Sequence, residues 1–298
     1  MNTTSQDINK FKSLLQQKLT DKSFSSVTTP ERANTSSLVF TSSVAMTQTA
    51  LQNGATGFIV LEKIYDDVKG LFLDHHCVWT TKDLKAAMSE VLTAFDRIPH
   101  TIGVHPSAIV HPTAQIGAHV RIGEYAVIKD HVVIGDYTYI AAHVVVESFC
   151  EIGAHCRIAS HTTIGSDGFG YYTDKTFTHH KIPQIGQVVI EDHCELGSHC
   201  SVDRATLTET RIKAGSKLDN FCHVAHNCEI GENSILAAGF MTAGSTVTGK
   251  NLMTAGGVHL NGHIKITDNV IFAGNAGVVS DVDKPGVYGG YPQVPQKD

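Results

Sequence analysis

The sequence predicts a mainly β chain: a parallel β-helix of hexapeptides over residues 101–282, preceded by a small α/β domain over residues 1–100 and closed by a cap and tail over residues 283–298. Three observations predict it. From Val104 to Ile164, every sixth residue is a β-branched aliphatic: Val104, Val110, Ile116, Ile122, Ile128, Ile134, Ile140, Val146, Ile152, Ile158 and Ile164. Four residues after most of these landings stands a small or β-branched residue, as at Ala126, Val132, Thr138, Cys150 and Cys156. Residues 1–100 lack that period and alternate strand-like with helix-like segments, the pattern of a layered α/β unit.

A fixed short period marks a solenoid in which each repeat buries its apolar face against the next. Each hexapeptide supplies one short strand and a corner, and three make a coil. The register pauses after Gly165, resumes at Ile190, Leu196 and Val202, slips by four residues, and runs from Ile212 to Val278. Thr242, Thr248 and Thr254 interrupt its aliphatic landings. The landings amount to roughly nine coils, or roughly 40 Å at about 4.8 Å per stacked strand.

A formal charge of −6 and a pI near 6.3 argue against nucleic-acid binding by bulk electrostatics. No apolar run has the length of a membrane span. The N-terminus has neither the basic nor the apolar part of a secretion signal, so the expected location is the cytoplasm. Of seven cysteines, Cys150, Cys156, Cys194, Cys200, Cys222 and Cys228 fall on the small inward register, which reads as packing rather than metal or disulfide chemistry. His119, His131, His143, His155, His161, His193, His199 and His263 all stand three residues after a landing. That phase points outward, towards solvent or a neighbouring subunit. His226 stands two residues after Val224, and no other histidine shares its phase.

Within residues 1–100, Asp7 to Leu19 reads as an amphipathic helix capped by Asp7, with Ile8, Phe11, Leu14, Leu15 and Leu19 on one side. Phe24–Thr29, Ser36–Thr41, Gly57–Leu61 and Cys77–Thr81 read as strands. Ala45–Asn53 and a segment from Leu84 to about Phe95 read as helices, and Arg97-Ile98-Pro99-His100 as the boundary. The longest interruption of the solenoid, residues 166–187, is dense in glycine and aromatics, as functional loops hung on solenoids are. Its glycines do not follow a strand into a helix, so it is not a dinucleotide-binding loop. The segment Asp283 to Pro292 is turn-rich and suits a cap on the last coil.

The Gly165-Ser166-Asp167-Gly168-Phe169-Gly170-Tyr171 loop, His180-Lys181-Ile182-Pro183-Gln184-Ile185-Gly186, Asp203-Arg204, and Asp219-Asn220-Phe221-Cys222-His223-Val224-Ala225-His226-Asn227, in that order behind a small α/β domain, resemble the UDP-3-O-(3-hydroxyacyl)glucosamine N-acyltransferase family of lipid A biosynthesis (the LpxD family). The resemblance covers most of residues 25–292. It implies a left-handed β-helix, against the usual right-handed crossover, and a homotrimer with active sites between neighbouring prisms. It implies transfer of a hydroxyacyl chain from acyl carrier protein to the 2-amine of a UDP-3-O-acyl-glucosamine, with no cofactor and no metal. His226 matches the family's general base, and histidine's ordinary pKa near 6.5 suits proton acceptance at pH 7. His263 matches a second histidine that contacts the substrate's polar head. It lies two coils and one residue beyond His226, about 10 Å along the axis.

Phe40 matches a family aromatic that stacks on uracil, while Ser43 and Met46 stand where the family has Asn and Tyr; a thioether face can replace an aromatic one. The chain ends without the family's C-terminal helices, so donor docking is expected to use the solenoid, or the donor to differ. Asn275, Gly277 and Val279 replace bulkier residues of the family's acyl tunnel, which predicts a roomier tunnel and a longer or branched chain. Three other readings stand beside this one. They are a nucleotide-sugar acyl- or acetyltransferase using an acyl-coenzyme A donor, a zinc β-helix enzyme using His223, His226 and His259, and a non-catalytic trimeric scaffold.

Overall fold

The computed structural model describes residues 3–18, 20–95 and 101–295. The chain divides into two compact units, Met1–His100 and Thr101–Asp298. The anticipated boundary at Arg97–His100, the Leu19 end of the expected first helix and the last three residues of the tail lie outside the described residues.

In the first unit, four parallel strands, Ser26–Thr28, Ser37–Thr41, Gly57–Leu61 and Cys77–Thr81, lie in sequential order. The helices Val44–Gln52, Glu62–Val68 and Leu84–Thr93 connect and flank them. Ser43 caps the first of these, its hydroxyl accepting from the Met46 N–H at 3.2 Å, and Asp83 caps the third, as short polar side chains do for otherwise unpaired helix donors. Strand residues alternate between two small cores, one around Trp79, Phe24 and Leu38, the other around Phe58, Val39 and Val78.

The long first helix is corrected. Only Ser5–Ile8 is helical; Thr4 is its cap and Asp7 the reciprocal partner in a capping box. Leu15–Lys18 is instead an edge strand, antiparallel to Cys77–Thr81. The open edge of the Cys77–Thr81 strand offers backbone partners that an isolated helix does not need, and this tertiary pairing overrides the apolar spacing. Glu62–Val68, a helix not anticipated, opens directly from the Gly57–Leu61 strand.

The second unit is a parallel β-helix. Its two-residue strands stack into three sheets of eight, eleven and nine strands, the eleven including the C-terminal cap. The landings are in register: Ile116 pairs with Ile134, Ile134 with Ile152, and Ile152 with Ile190 across the long interruption. From Val120 on, the landings and their small partners point inward and form one continuous core to Val282, with Val110 and Ile116 partly buried against it. All six repeat cysteines are buried and free. The interrupting threonines are buried too, with their hydroxyls engaged. Thr242, Thr248 and Thr254 accept the backbone N–H of Ala225, Gly231 and Ala237 from the preceding coil at 3.0, 3.0 and 3.2 Å. A threonine therefore replaces a valine here without leaving a buried hydroxyl unpaired.

The histidine phase points outward as expected, and all eight residues are exposed. The third residue after a landing is the corner itself, held in the left-handed region: His119, His143, His161, His199 and His263 have φ between 58° and 64°. Asn227, Asn233, Asn251 and Asn269 occupy the same phase later in the chain. Because successive corners lie one above another, their rings stack. Tyr125, His143, His161, His199 and Phe221 form one column with centroids 4.9–5.3 Å apart. His119, Tyr137, His155 and His193 form a second. Non-glycine residues are costly at positive φ, and ring stacking offsets part of that cost.

Candidate active site

Two irregularities meet at His226. The first is the excursion, which leaves along an extended strand, Thr163–Asp167, forms a hairpin of Tyr171–Thr173 with His179–Lys181, and returns at Gln187–Ile190. The second is the four-residue slip, which the structure places between the strands Ser201–Arg204 and Glu209–Ile212. The two are laced together. Ile185, Gly186 and Gln187 donate backbone N–H groups to the carbonyls of Thr206, Ala205 and Thr208, and the Thr206 hydroxyl donates to Gln184 Oε1 at 2.9 Å. Arg204 pins the root of the excursion by donating to the Gly165 and Ser148 carbonyls at 2.7 and 3.1 Å.

His226 follows the strand His223–Val224 and is half-buried. Glycines wall its ring. A Cβ on Gly168, at the root of the excursion, would lie 2.6 Å from His226 Cβ, and one on Gly244, one coil on, 2.5 Å from Cε1 and 2.8 Å from Nε2. Such distances leave room for no side chain but hydrogen. The ring's other edge is fixed by Asn227, whose Oδ1 lies 3.1 Å from His226 Nδ1. The same oxygen accepts the Thr206 N–H at 3.1 Å. A backbone N–H only donates, so the Asn227 atom in this position is its oxygen and Nδ1 carries the imidazole proton. Nε2 is left as the acceptor, on the side where Gly244 has no Cβ.

His263 sits at the corner two coils beyond. Its N–H donates to the Gly244 carbonyl, and Ser245 N–H donates to the His226 carbonyl. His226, Gly244 and Gly262 thus stand one above another along one edge, with exposed His263 beside Gly262. The structure brings His226 and His263 to a single strip, and the residues between them are small.

Phe40 belongs to the other unit. The residue is 8 % exposed and packs in the Trp79 core, so little of it is open for stacking. Ser42 donates to Met46 Sδ at 3.4 Å. At the far end of the solenoid, the room expected over Gly277 is filled: a Cβ there would collide with the Tyr291 ring. The C-terminal hairpin holds that ring in place through Gly277 N–H to Gly290 O and Gln293 N–H to Gly277 O, at 3.0 and 3.1 Å. Gly277 is therefore met by a tyrosine from the cap. Among the described residues of this chain, no three His, Cys, Asp or Glu side chains are grouped to hold a metal ion. No helix among them is long and apolar enough to cross a membrane.

Asn227, Gly244, Gln184 and Ser166 carry no individual signal in the sequence. Coil arithmetic finds Gly244, since it stands 18 residues after His226. The others are found by noticing that both breaks in the period fall beside the same corner.

The fold is the left-handed β-helix of the hexapeptide-repeat transferases: the family described as bacterial transferase hexapeptide (six repeats) matches residues 131–166 and 209–239. Among solved structures, LpxA from Acinetobacter baumannii is 27% identical with a TM-score of 0.59, covering 65% of this chain and 73% of that one. The Francisella novicida UDP-N-acetylglucosamine acyltransferase, 24% identical with a TM-score of 0.60 over 65% of this chain and 70% of that one, shares the fold. Within that class, the curated homologues at 37–42% identity are named UDP-3-O-acylglucosamine N-acyltransferase. The protein of that name from Campylobacter lari is 40% identical over 135 residues, 45% of this chain and 42% of the relative. That from Bordetella pertussis is 42% identical over 212 residues, 64% of this chain and 58% of the relative. The chain thus spans about half the length of the curated relatives it matches.

Proposed function

We propose that this chain is an N-acyltransferase that moves a hydroxyacyl group from the thioester of acyl carrier protein to the 2-amine of a UDP-3-O-acyl-glucosamine, within lipid A biosynthesis. The observation that carries the reading is the His226–Asn227 contact, which leaves Nε2 as a proton acceptor at a glycine-lined strip. The amine attacks the thioester carbonyl, Nε2 takes the amine proton, and the thiolate leaves, helped by a thiol pKa of about 8.5. Gly244 lies against the ring with no side chain in the way, and its N–H is the donor assigned to the oxyanion. His263, two coils on, is assigned to the polar head of the nucleotide-sugar. The same reading makes the protein a cytoplasmic homotrimer that needs no cofactor and takes acyl carrier protein as its partner. Identity to named N-acyltransferases above that to the solved acyltransferases favours an amine acceptor.

Mass spectrometry of products from 3-O-acyl-UDP-glucosamine and a panel of hydroxyacyl carrier proteins tests it. A diacylated product that falls by about 10² to 10⁴ in His226→Ala supports both the reaction and the base. Product only with acyl-coenzyme A would replace the donor. No product from folded protein with any thioester would overturn the reaction. Mass photometry of the same preparation reads the trimer.

A further inference from the structure

We infer that Asp203 is a positioning residue for His226: a buried carboxylate that supplies the negative charge the imidazole needs when it takes the substrate proton. The inference builds on the acyl-transfer reading of this site. Among the described residues, the group on the His226 ring nitrogens is Asn227, and it is neutral. It fixes the tautomer and has no charge to offer the imidazolium that forms.

Asp203 stands on the neighbouring strand. Ser201 pairs with His223 and Val202 with Val224, so Asp203 comes level with Ala225, one residue from His226. Its residue is only 7 % exposed. Ser166, from the root of the excursion, donates its hydroxyl to Asp203 Oδ1 at 2.8 Å, and Ser201 lies 3.2 Å from the same hydroxyl. Oδ2 lies 3.7 Å from His223 Nε2. Burial pushes the Asp203 carboxyl above its ordinary range, opposed by the Ser166 hydrogen bond and by the fields of His223 and His226. Among the described residues, two histidines and no lysine or arginine lie beside this carboxylate, and so dry a place is costly for folding and useful for proton transfer.

The other charged and titratable groups around it are accounted for. Arg204 is engaged by the Gly165 and Ser148 carbonyls. Asp167 pairs with Lys181. Cys228 is a thiol raised by burial. The next coil presents Met241, Thr242 and Gly244, none of which titrates. Among the described residues, His223 and His226 are the imidazoles left beside Asp203.

Two readouts on the full-length protein test this. The first is an NMR titration of ¹³C-labelled histidines with the His226 signal assigned from His226→Gln. Asp203→Asn is expected to lower the His226 midpoint by about half a unit or more, a roughly threefold loss of proton affinity. His223→Gln, which removes the competing imidazole, is expected to raise it. The second is the pH profile of kcat/KM for acyl transfer. In Asp203→Asn the acid limb is expected to move to lower pH and kcat to fall about tenfold, with KM and melting temperature held. A His226 midpoint unmoved in both variants overturns the inference whatever the reaction is. A midpoint that moves, in a wild type that transfers no acyl group, overturns the reaction and keeps the pairing. If Asp203→Asn does not fold, His223→Gln alone decides.

Discussion

His226 Nδ1 lies 3.1 Å from Asn227 Oδ1, an oxygen that also accepts the Thr206 N–H. Two consecutive residues at one corner thus hold the tautomer. The left-handed backbone of Asn227, φ 60°, turns its amide back towards the ring. Asn227→Gly keeps that backbone and removes the oxygen. It is expected to lower kcat for acyl transfer about tenfold or more, with KM little changed, because the loss falls on orientation of the base. Steady-state kinetics beside His226→Ala checks it; unchanged kcat would separate the asparagine from the chemistry.

Gly244→Ala puts a methyl group 2.5 Å from His226 Cε1. The ring has to swing away, since the opposing wall at Gly168 is equally tight. Activity is expected to fall about a hundredfold, while the melting temperature changes little because His226 is only half-buried. Thermal melts and rates on the same sample measure both. A rate within a few-fold of wild type would show that the ring's position is not what matters.

Tyr291 covers Gly277 at the end of one sheet. If the acyl chain runs along these late coils, Tyr291→Ala opens the space that the glycine leaves. A ladder of acyl carrier protein thioesters is expected to show a shift in preference towards longer chains relative to wild type. An unchanged ladder places the chain's end elsewhere.

His76 is buried against Phe58 and Phe72 and takes the Leu73 N–H on Nδ1 at 2.9 Å. Burial pulls its pKa down to about 4, with smaller contributions from the charges of His75, Lys18 and Lys22. The unfolded chain takes up the proton near pH 6.5 and the native unit only near 4. Stability is therefore fully present above about pH 6.5 and is lost as pH falls towards 4. Trp79 is the one tryptophan and is fully buried in this unit, so urea unfolding followed by its fluorescence reads this unit directly. The midpoint is expected to drop between pH 7 and 5, and less so in His76→Phe. Equal slopes in the two proteins would assign the loss to other groups.

The hexapeptide period, from Val104 to Ile164 and again from Ile190 to Val278, specifies the β-helix, the number of coils and the inward set, because an 18-residue coil repeats one environment and each repeat votes for the same answer. It also singled out His226, the histidine out of phase. It misread residues 7–19 as one helix, since apolar spacing does not record the open sheet edge that Leu15–Lys18 fills. The corner histidines point outward as their phase predicts, but their left-handed φ is not visible in a residue type that usually avoids that region. The partners of His226 come from sequence distances of 1, 18, 23 and 58 residues, at Asn227, Gly244, Asp203 and Gly168.

The repeat, the core and the candidate base are legible in the residues alone, because each is a matter of local period and residue type. The tautomer of that candidate base, the buried carboxylate on the neighbouring strand, the burial of Phe40 and the tyrosine over Gly277 emerge only in the folded chain. These depend on which side chains the excursion, the four-residue slip and the C-terminal hairpin bring against the prism, and such contacts between irregular segments leave no period to read.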